Sequence, residues 1–318
     1  MKTSLGKKQV NQLLSKYSLI LIILGIALIM TFSTSAFLTG TNLINLLRQI
    51  SINGILAIGM TLVVLTGGID LSVGSILAFS GIIIAGLLRD TYLPIIVIVL
   101  IAILVACIMG ALNGYFISYW NAAPFVVTLA MMTIGRGLTF VFSDGRPISN
   151  LPGEYLEISR GSIIGIPNPA WILIVIFILG TIILNNLKLG KYIYAIGGNE
   201  NAALVSGIPV KRVKLFVYVL SGFACGVAAV IWTARVSAGL PTAGDGYELD
   251  AIAATVIGGA RLSGGRGKLW GTLLGALLLG IVSNGLDLLN VSSFYQKIVK
   301  GLIILGAILI DAKRNKKM

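Results

Sequence analysis

The chain of 318 residues has no histidine, only two cysteines and few charged residues. Charged side chains make up 11% of it. Without histidine, the usual zinc, haem and acid–base sites are excluded, so we expect no bound metal. Cys107 and Cys225 both lie in apolar stretches, which provides no disulfide framework and favours packing roles for both.

Motifs for nucleotide hydrolysis and for membrane hydrolases are missing as well. Residues 265–269 resemble the end of a phosphate-binding loop, but Leu269 replaces the Ser or Thr that reaches magnesium, and Leu262 replaces the first glycine. Neither Gly-x-Ser-x-Gly nor His-Glu-x-x-His occurs. We therefore expect no enzyme and no cofactor in this chain, so that any ATP and magnesium that drive it are bound by another subunit.

Long apolar runs dominate the sequence, which is 57% hydrophobic. Several runs approach the roughly 20 residues that a helix needs to cross a bilayer core. Continuous runs of this kind favour helices over the alternating segments of a membrane barrel. The pattern predicts an all-α integral membrane protein, a single domain over 1–318, with about ten membrane segments: 17–32, 43–65, 76–88, 93–117, 124–142, 171–187, 215–232, 235–259, 269–289 and 295–310.

The segment 235–259 differs from the others. Asp245, Glu248 and Asp250 precede an apolar run of only about ten residues, which is too short to cross the membrane alone. A broken, tilted or re-entrant helix is therefore predicted. Such backbone is tolerated at membrane depth only where it is buried in protein or lines a cavity.

The net charge of +13 raises the question of a nucleic-acid partner. Instead, 16 of the 24 basic residues lie in four groups at the ends of apolar runs. Cytoplasmic loops of membrane proteins carry such an excess, so we expect a multi-pass protein with both termini in the cytoplasm and no nucleic acid bound. The stretch 188–214 is then cytoplasmic and 143–169 is the main external loop. The four groups are Lys2, Lys7, Lys8 and Lys16; Lys188, Lys191, Lys211, Arg212 and Lys214; Arg261, Arg266 and Lys268; and Lys313, Arg314, Lys316 and Lys317.

The central basic stretch predicts a short, well-delimited helix. Asn199 is a favourable N-cap, Glu200 places negative charge in the first turn, Gly207 suits the left-handed position after a helix, and Pro209 prevents continuation. A helix of about two turns is marginal alone in water. We therefore expect it to be held by packing on its own protein or on a partner.

Polar residues interrupt several apolar segments and are candidates for a translocation path or gate: Asn53, Gly67, Gly68, Asp70, Ser72, Arg136 and Asp250. Such residues are costly against lipid and are expected to face the bundle interior. Asp70 either caps the following helix or binds a sugar hydroxyl or a cation. Asp250 either serves the path or pairs with an arginine or a polar backbone group.

The pattern Gly-Gly-x-x-Leu-Ser-x-Gly occurs at 67–74 and again at 258–265. Paired glycine interruptions in two halves of a chain point to a transport site built on a structural repeat. The predicted topology, however, places both turns on the same side of the membrane, whereas a simple inverted repeat places equivalent turns on opposite sides. A true repeat and a coincidence both remain open.

Several segments together resemble the permease subunits of ribose-type ABC sugar importers: 59–61, 67–75, 195–199, 207–210 and 247–254 followed by Gly258-Gly259. The resemblance covers nearly the whole chain. It implies the ABC importer permease fold in the bacterial inner membrane. It also implies four partners: a second copy of the chain, a cytoplasmic ATPase with two nucleotide-binding domains that bind ATP and magnesium, an external sugar-binding protein, and the lipid bilayer.

Within that resemblance, Asn201 to Gly207 is similar to the Glu-Ala-Ala-x-x-x-Gly motif by which importer permeases contact their ATPase. Asn201 stands in place of the glutamate, and the usual Ile-x-Leu-Pro that follows is absent. The resemblance implies that the ATPase contacts a group of residues around this motif: Gly198, Asn199, Glu200, Asn201, Ala202, Ala203, Ser206, Gly207, Ile208 and Pro209.

Two alternatives to ribose import remain. The same machine could carry xylose, galactose, a nucleoside or a sugar-like signal, because selectivity in such importers lies largely in the external binding protein. An ion-coupled secondary carrier would need titratable groups near the bilayer midplane, whereas most acidic residues here fall near loops.

Overall fold

The computed structural model describes the backbone of residues 2–316 and the side chains of Tyr17, of residues 19–306 and of Leu309. The basic groups at both ends of the chain, from Lys2 to Lys16 and from Lys313 to Lys317, lie outside the described side chains. The helices are α1 (Lys2–Ser33), α2 (Gly40–Leu65), α3 (Val73–Asp90), α4 (Ile95–Tyr119), α5 (Pro124–Ser143), α6 (Gly153–Arg160), α7 (Asn168–Asn185), α8 (Lys188–Gly198), α9 (Glu200–Val205), α10 (Val210–Val236), α11 (Tyr247–Ile257), α12 (Leu269–Leu288) and α13 (Ser293–Lys316). A two-stranded hairpin, β1 (Ser162–Ile163) and β2 (Ile166–Pro167), precedes α7.

The predicted all-α membrane architecture is confirmed. Within the described part of the chain, seven helices are long and apolar enough to cross a membrane, namely α2, α3, α4, α5, α7, α10 and α12. The other three predicted segments fall in α1, with its apolar part Leu19–Ser33, in the short α11, and in α13. Each predicted segment thus corresponds to a helix.

Helices α2 and α10 form the centre of the bundle. Residues 50–65 of α2 are all buried, and α2 packs on α7, α10, α11 and α12. A helix that is apolar on every face needs such surroundings. Close contact between α10 and α4 depends on glycine, since a Cβ on Gly222 would meet the Ala106 carbonyl and one on Gly226 would lie 2.8 Å from the Ile103 Cα.

Buried polar side chains link α2 to its neighbours. Asn42 and Asn284 exchange side-chain amide hydrogen bonds of 3.0 and 2.8 Å between α2 and α12. Deeper in the bundle, the Thr61 hydroxyl lies 3.2 Å from the Thr255 hydroxyl of α11 and 2.8 Å from the Thr272 hydroxyl of α12. Small residues and hydroxyl pairs of this kind hold membrane helices together where lipid gives no hydrophobic driving force.

The segment after α10 is broken, as predicted. Helix α10 ends at Val236, residues 237–246 are non-helical, and α11 has only 11 residues. Gly239 exchanges backbone hydrogen bonds of 2.9 Å with Ile148. Arg136 of α5 donates from Nη1 to the Pro241 and Ala243 carbonyls, both at 2.8 Å. Arg136, a candidate for the polar path, is thereby used to satisfy backbone carbonyls that no helix satisfies.

The stretch 188–214 is not the single polar loop with one short helix that the sequence predicts. It contains α8, α9 and the start of α10, which begins at Val210 instead of at 215. Helix α8 is amphipathic, with Ile193 and Ile196 buried and Lys191 exposed, so packing stabilises it despite its charge. The stretch 143–169, predicted to be external, likewise contains α6 and the β1–β2 hairpin.

The repeated Gly-Gly-x-x-Leu-Ser-x-Gly pattern does not form the same turn twice. Gly67 has φ +79°, whereas its counterpart Gly258 has φ −67°. Ser72 is buried and Ser263 is exposed. The two turns nevertheless lie side by side, because a Cβ on Gly264 would lie 2.8 Å from the Gly67 amide nitrogen. The repeated pattern therefore marks two glycine-rich turns that meet at one end of the bundle but differ in backbone geometry.

Candidate functional site

Helix α9 is the short helix predicted from the central basic stretch, and it is capped at both ends. The Asn199 side-chain oxygen accepts a 2.9 Å hydrogen bond from the Ala202 amide. At the other end Gly207 has φ +78°, its amide donates to the Leu204 carbonyl at 3.0 Å, and the Ile208 amide donates to the Ala203 carbonyl at 3.1 Å. This pair of bonds is the Schellman ending that a glycine favours, and Pro209 then begins α10 as its N-cap.

Packing fixes α9 on its own protein and leaves one face open. Ala203 is buried, and Glu200 forms an ion pair with Lys214 of α10 at 2.6 Å. Asn201, Ala202 and Ser206 are exposed. Leu204 and Val205 are also exposed, at 61% and 89%, although both are apolar. These neighbouring side chains give α9 an apolar surface outside the candidate membrane spans.

Helix α8 connects α9 to the turns between membrane helices. The Gly265 amide donates to the Leu65 carbonyl at 3.0 Å, joining the α11–α12 turn to the end of α2. Gly197 of α8 fits between these two residues, where a Cβ would meet both backbones. We call this meeting of Leu65, Gly67, Gly197, Gly264 and Gly265 the glycine junction. Since Gly198 ends α8 and Glu200 begins α9, only Asn199 separates α9 from the helix that reaches the junction.

Asp70 lies in the turn between α2 and α3 and is completely buried. Its carboxylate accepts hydrogen bonds from the Ser72 amide at 3.0 Å, the Ser72 hydroxyl at 2.5 Å and the Ser221 hydroxyl of α10 at 2.8 Å. Asn113 of α4 donates to the Ser72 oxygen at 2.8 Å. The carboxylate therefore orders its own turn and ties that turn to α4 and α10, rather than capping the start of α3 at the membrane surface.

Asp250, at the start of α11, pairs with a lysine that sequence reasoning did not identify. Its carboxylate lies 2.7 Å from Lys300 Nζ of α13, and the two side chains are 5% and 25% exposed. A second pair joins Asp245 to Lys297 at 2.9 Å, but there both side chains are mostly exposed. One of the two roles predicted for Asp250 was pairing with an arginine or a polar backbone group. The structure shows an ion pair, but its partner is a lysine.

The structure brings some of the predicted residues together and separates others. Gly67 and Gly68 lie near α9, because both line a cavity of about 360 Å³ that Asn199 and Glu200 also line. Asp70 and Ser72 share the buried cluster described above. Asn53 is buried in α2, and Asp250 lies with α13, so neither joins this group. Four residues that the sequence did not indicate as site candidates take part in these contacts: Asn113, Lys214, Ser221 and Lys300. Each is a polar or charged side chain on a largely apolar helix, and that was the available signal.

Comparison with known proteins gives a consistent family. Residues 42–308 match the family model described as "Branched-chain amino acid transport system / permease component". The chain is 48% identical to the ribose import permease protein RbsC of Bacillus subtilis, over 91% of this chain and 90% of the relative. Proteins of the same name match at 43% in Haemophilus influenzae, over 98% and 97% of the two chains, and at 44% in Escherichia coli K12, over 95% of each. No solved structure gives a significant match. The chain therefore belongs to this family of transport-system permease components, as a ribose-type ABC permease.

Proposed function

We propose that this chain is the membrane-spanning subunit of a binding-protein-dependent ABC importer that carries ribose into the cytoplasm. ATP is hydrolysed on a separate subunit, which binds ATP and magnesium. Ribose is the cargo proposed because the three relatives described above are named as ribose import permeases and match over nearly their full length. Xylose, galactose, a nucleoside or a sugar-like signal is the alternative cargo for the same machine.

The observation that carries this proposal is α9, a capped helix that exposes Leu204 and Val205 beside the glycine junction. The ATPase binds this exposed face. A cavity of about 360 Å³ next to it, lined by Tyr119, Asn201 and Lys211 among others, accepts an ATPase side chain. Because only Asn199 separates α9 from α8, closure of the ATPase displaces α8 at the junction, which shifts the α2–α3 and α11–α12 turns.

The remaining partners follow from this arrangement. An ATPase with two nucleotide-binding domains needs two α9 surfaces, so a second copy of the chain completes the pore. The external binding protein docks on the 143–169 stretch, where Ile163 and Ile164 at the hairpin tip are 56% and 90% exposed. In this proposal the end of the bundle formed by α8, α9 and the α11–α12 turn lies in the cytoplasm with both termini, which the basic residues flanking these elements support.

The gate in this proposal is the α2–α3 turn. Gly67 and Gly68 allow the turn to approach the α11–α12 turn and α10, while Asp70 and Ser72 hold its arrangement through α4 and α10. Asp70 is inaccessible in this conformation, so its part is in gating and not in binding the sugar. Asn53 and Asp250 are also assigned to the path, Asn53 from its burial in α2 and Asp250 from its pair with Lys300 of α13.

The test is reconstitution of the chain with its ATPase and candidate binding proteins in liposomes. Labelled ribose is expected to accumulate only with ATP and a binding protein present. Gly207→Val should abolish uptake and sugar-stimulated ATP hydrolysis, since a β-branched residue in the left-handed region costs about 1–3 kcal/mol. Ala203→Asp should do the same because it buries a charge under α9. Gly207→Asn is the matched control, because asparagine tolerates this backbone conformation.

Three results would contradict the proposal in different ways. Uptake that persists without ATP or a partner would indicate a secondary carrier. Unchanged sugar-stimulated hydrolysis in both Gly207→Val and Ala203→Asp, with normal amounts of protein in the membrane, would remove α9 as the point of coupling. Stronger competition by xylose, galactose or a nucleoside than by unlabelled ribose would change the cargo.

A further inference from the structure

A cavity at one end of the bundle has no part in the function proposed above. It has a volume of about 790 Å³ and lies between the end of α7, α8 and the start of α12. Cavities of this size hold small ligands or the polar part of larger ones. Tyr194 of α8 forms one wall and donates a 2.9 Å hydrogen bond to the Gly267 carbonyl. Partial burial raises the pKa of the Tyr194 hydroxyl, so it remains a donor there.

The walls of the cavity are of mixed chemistry. Arg266 and Lys268 line it and are both exposed, and no acidic residue is among the described lining residues. Leu184, Leu269 and Trp270 also line it. The first turn of α12 also faces the cavity, and its N-cap Lys268 makes no side-chain capping hydrogen bond. The cavity therefore combines positive charge with an apolar wall.

An exposed tryptophan at the cavity suits the headgroup depth of a bilayer. Trp270 is 66% exposed and its ring contacts Phe177 of α7 edge-on at 4.7 Å. Tryptophan is enriched at this level of membrane proteins. Away from the basic residues, Ile178 and Ile182 continue the exposed face of α7 as an apolar surface suited to acyl chains. A ligand with an anionic head and apolar tails matches both parts.

We propose that this cavity binds the phosphate-bearing headgroup of an anionic phospholipid, such as phosphatidylglycerol, from the cytoplasmic leaflet. Basic pockets between membrane helices on that side of the membrane bind such headgroups. The proposal rests on the proposed function only for the orientation of the chain. Because the α11–α12 turn forms both this cavity and the glycine junction, a bound lipid would also support the turn on which α8 packs.

The test measures how much lipid the full chain retains in the absence of ATPase and sugar. A negative result would therefore contradict the lipid site without bearing on the transport proposal. Protein from nanodiscs of phosphatidylcholine with added phosphatidylglycerol is extracted in mild detergent, and bound lipid is counted by native mass spectrometry. Lys268→Gln is expected to weaken phosphatidylglycerol retention about fivefold, the effect of one cation near a lipid surface. Lys191→Gln, an exposed lysine on α8 that does not line the cavity, is the matched control and should retain it.

Several outcomes would overturn the assignment. Equal retention in Lys268→Gln and Lys191→Gln would remove the cavity as the lipid site. Equal retention of phosphatidylcholine would show an acyl-chain groove with no preference for anionic heads. Displacement of the lipid by millimolar inorganic phosphate would assign the basic wall to a free anion. Trp270→Ala provides a second variant, expected to reduce retention of phosphatidylglycerol while leaving the charges intact.

Discussion

At the scale of single residues, two lysines three positions apart on α13 make ion pairs in very different surroundings. Lys300 meets a buried Asp250, whereas Lys297 meets an Asp245 that is mostly exposed. Removing one member of a buried pair leaves an uncompensated charge, while an exposed pair is screened by solvent. Replacing each lysine by glutamine removes the same charge from both pairs. Any difference in stability between the two variants therefore reports the burial of the pair.

We predict that Lys300→Gln destabilises the protein by about 3–5 kcal/mol, because it leaves Asp250 buried without its partner. Lys297→Gln should change stability little. The measurement is the temperature at which the detergent-purified protein loses its monodisperse elution peak. Adding Asp250→Asn to Lys300→Gln should restore most of the loss. Equal melting temperatures for the two single variants would contradict the buried pair.

At the scale of structural elements, the α2–α3 turn depends on Asp70 as an acceptor of three hydrogen bonds. Asp70→Ala leaves the Ser72 amide and two hydroxyls without that acceptor, which costs about 1–3 kcal/mol for each buried group left unsatisfied. We predict lower thermal stability and loss of ribose uptake for Asp70→Ala. Asp70→Asn should keep both in large part, because its amide oxygen still accepts and the Ser221 hydroxyl can reverse its role.

The pair of variants also tests what the carboxylate does. Asp70→Ala with normal stability and uptake would show that the turn does not need these bonds. Loss of uptake in Asp70→Asn at normal melting temperature would mean that the negative charge itself takes part in transport. Such a result would favour cation or sugar binding over gating by hydrogen bonds.

Features that depend on neighbouring residues in the sequence could be predicted, and features that depend on packing between distant parts of the chain could not. The caps of α9, Asn199 and Gly207, are visible in sequence because each acts within a few residues of itself. Helix α8 was missed because its charges mark it as a loop, and the reason for its folding lies in the burial of Ile193 and Ile196. Likewise Asp70 was identified, but its partner Ser221 lies on another helix, 151 positions away.

At the scale of the whole molecule, the membrane segments can be predicted from the lengths of the apolar runs, but the contacts between the segments cannot. The broken segment was expected because its apolar run is too short, yet only the structure shows that Arg136 satisfies its carbonyls and that it packs against α3 through Gly74 and Gly244. The glycine junction could not be derived either, since it assembles two separate turns and the end of α8. The sequence provides the list of segments, and only packing brings two of their turns together at α8, next to α9.

The orientation of the chain is the last prediction, and two highly exposed apolar residues make a matched pair for it. Ile164 in the hairpin is 90% exposed and Val205 of α9 is 89% exposed, so unequal labelling reports the side of the membrane and not burial. In a background with Cys107→Ala and Cys225→Ala, we predict that a membrane-impermeant maleimide labels Ile164→Cys in intact spheroplasts. Val205→Cys should react only after permeabilisation, because basic residues flank α9 on the cytoplasmic side. Labelling of Val205→Cys in intact spheroplasts would reverse the topology and place α9 beyond the reach of any cytoplasmic ATPase.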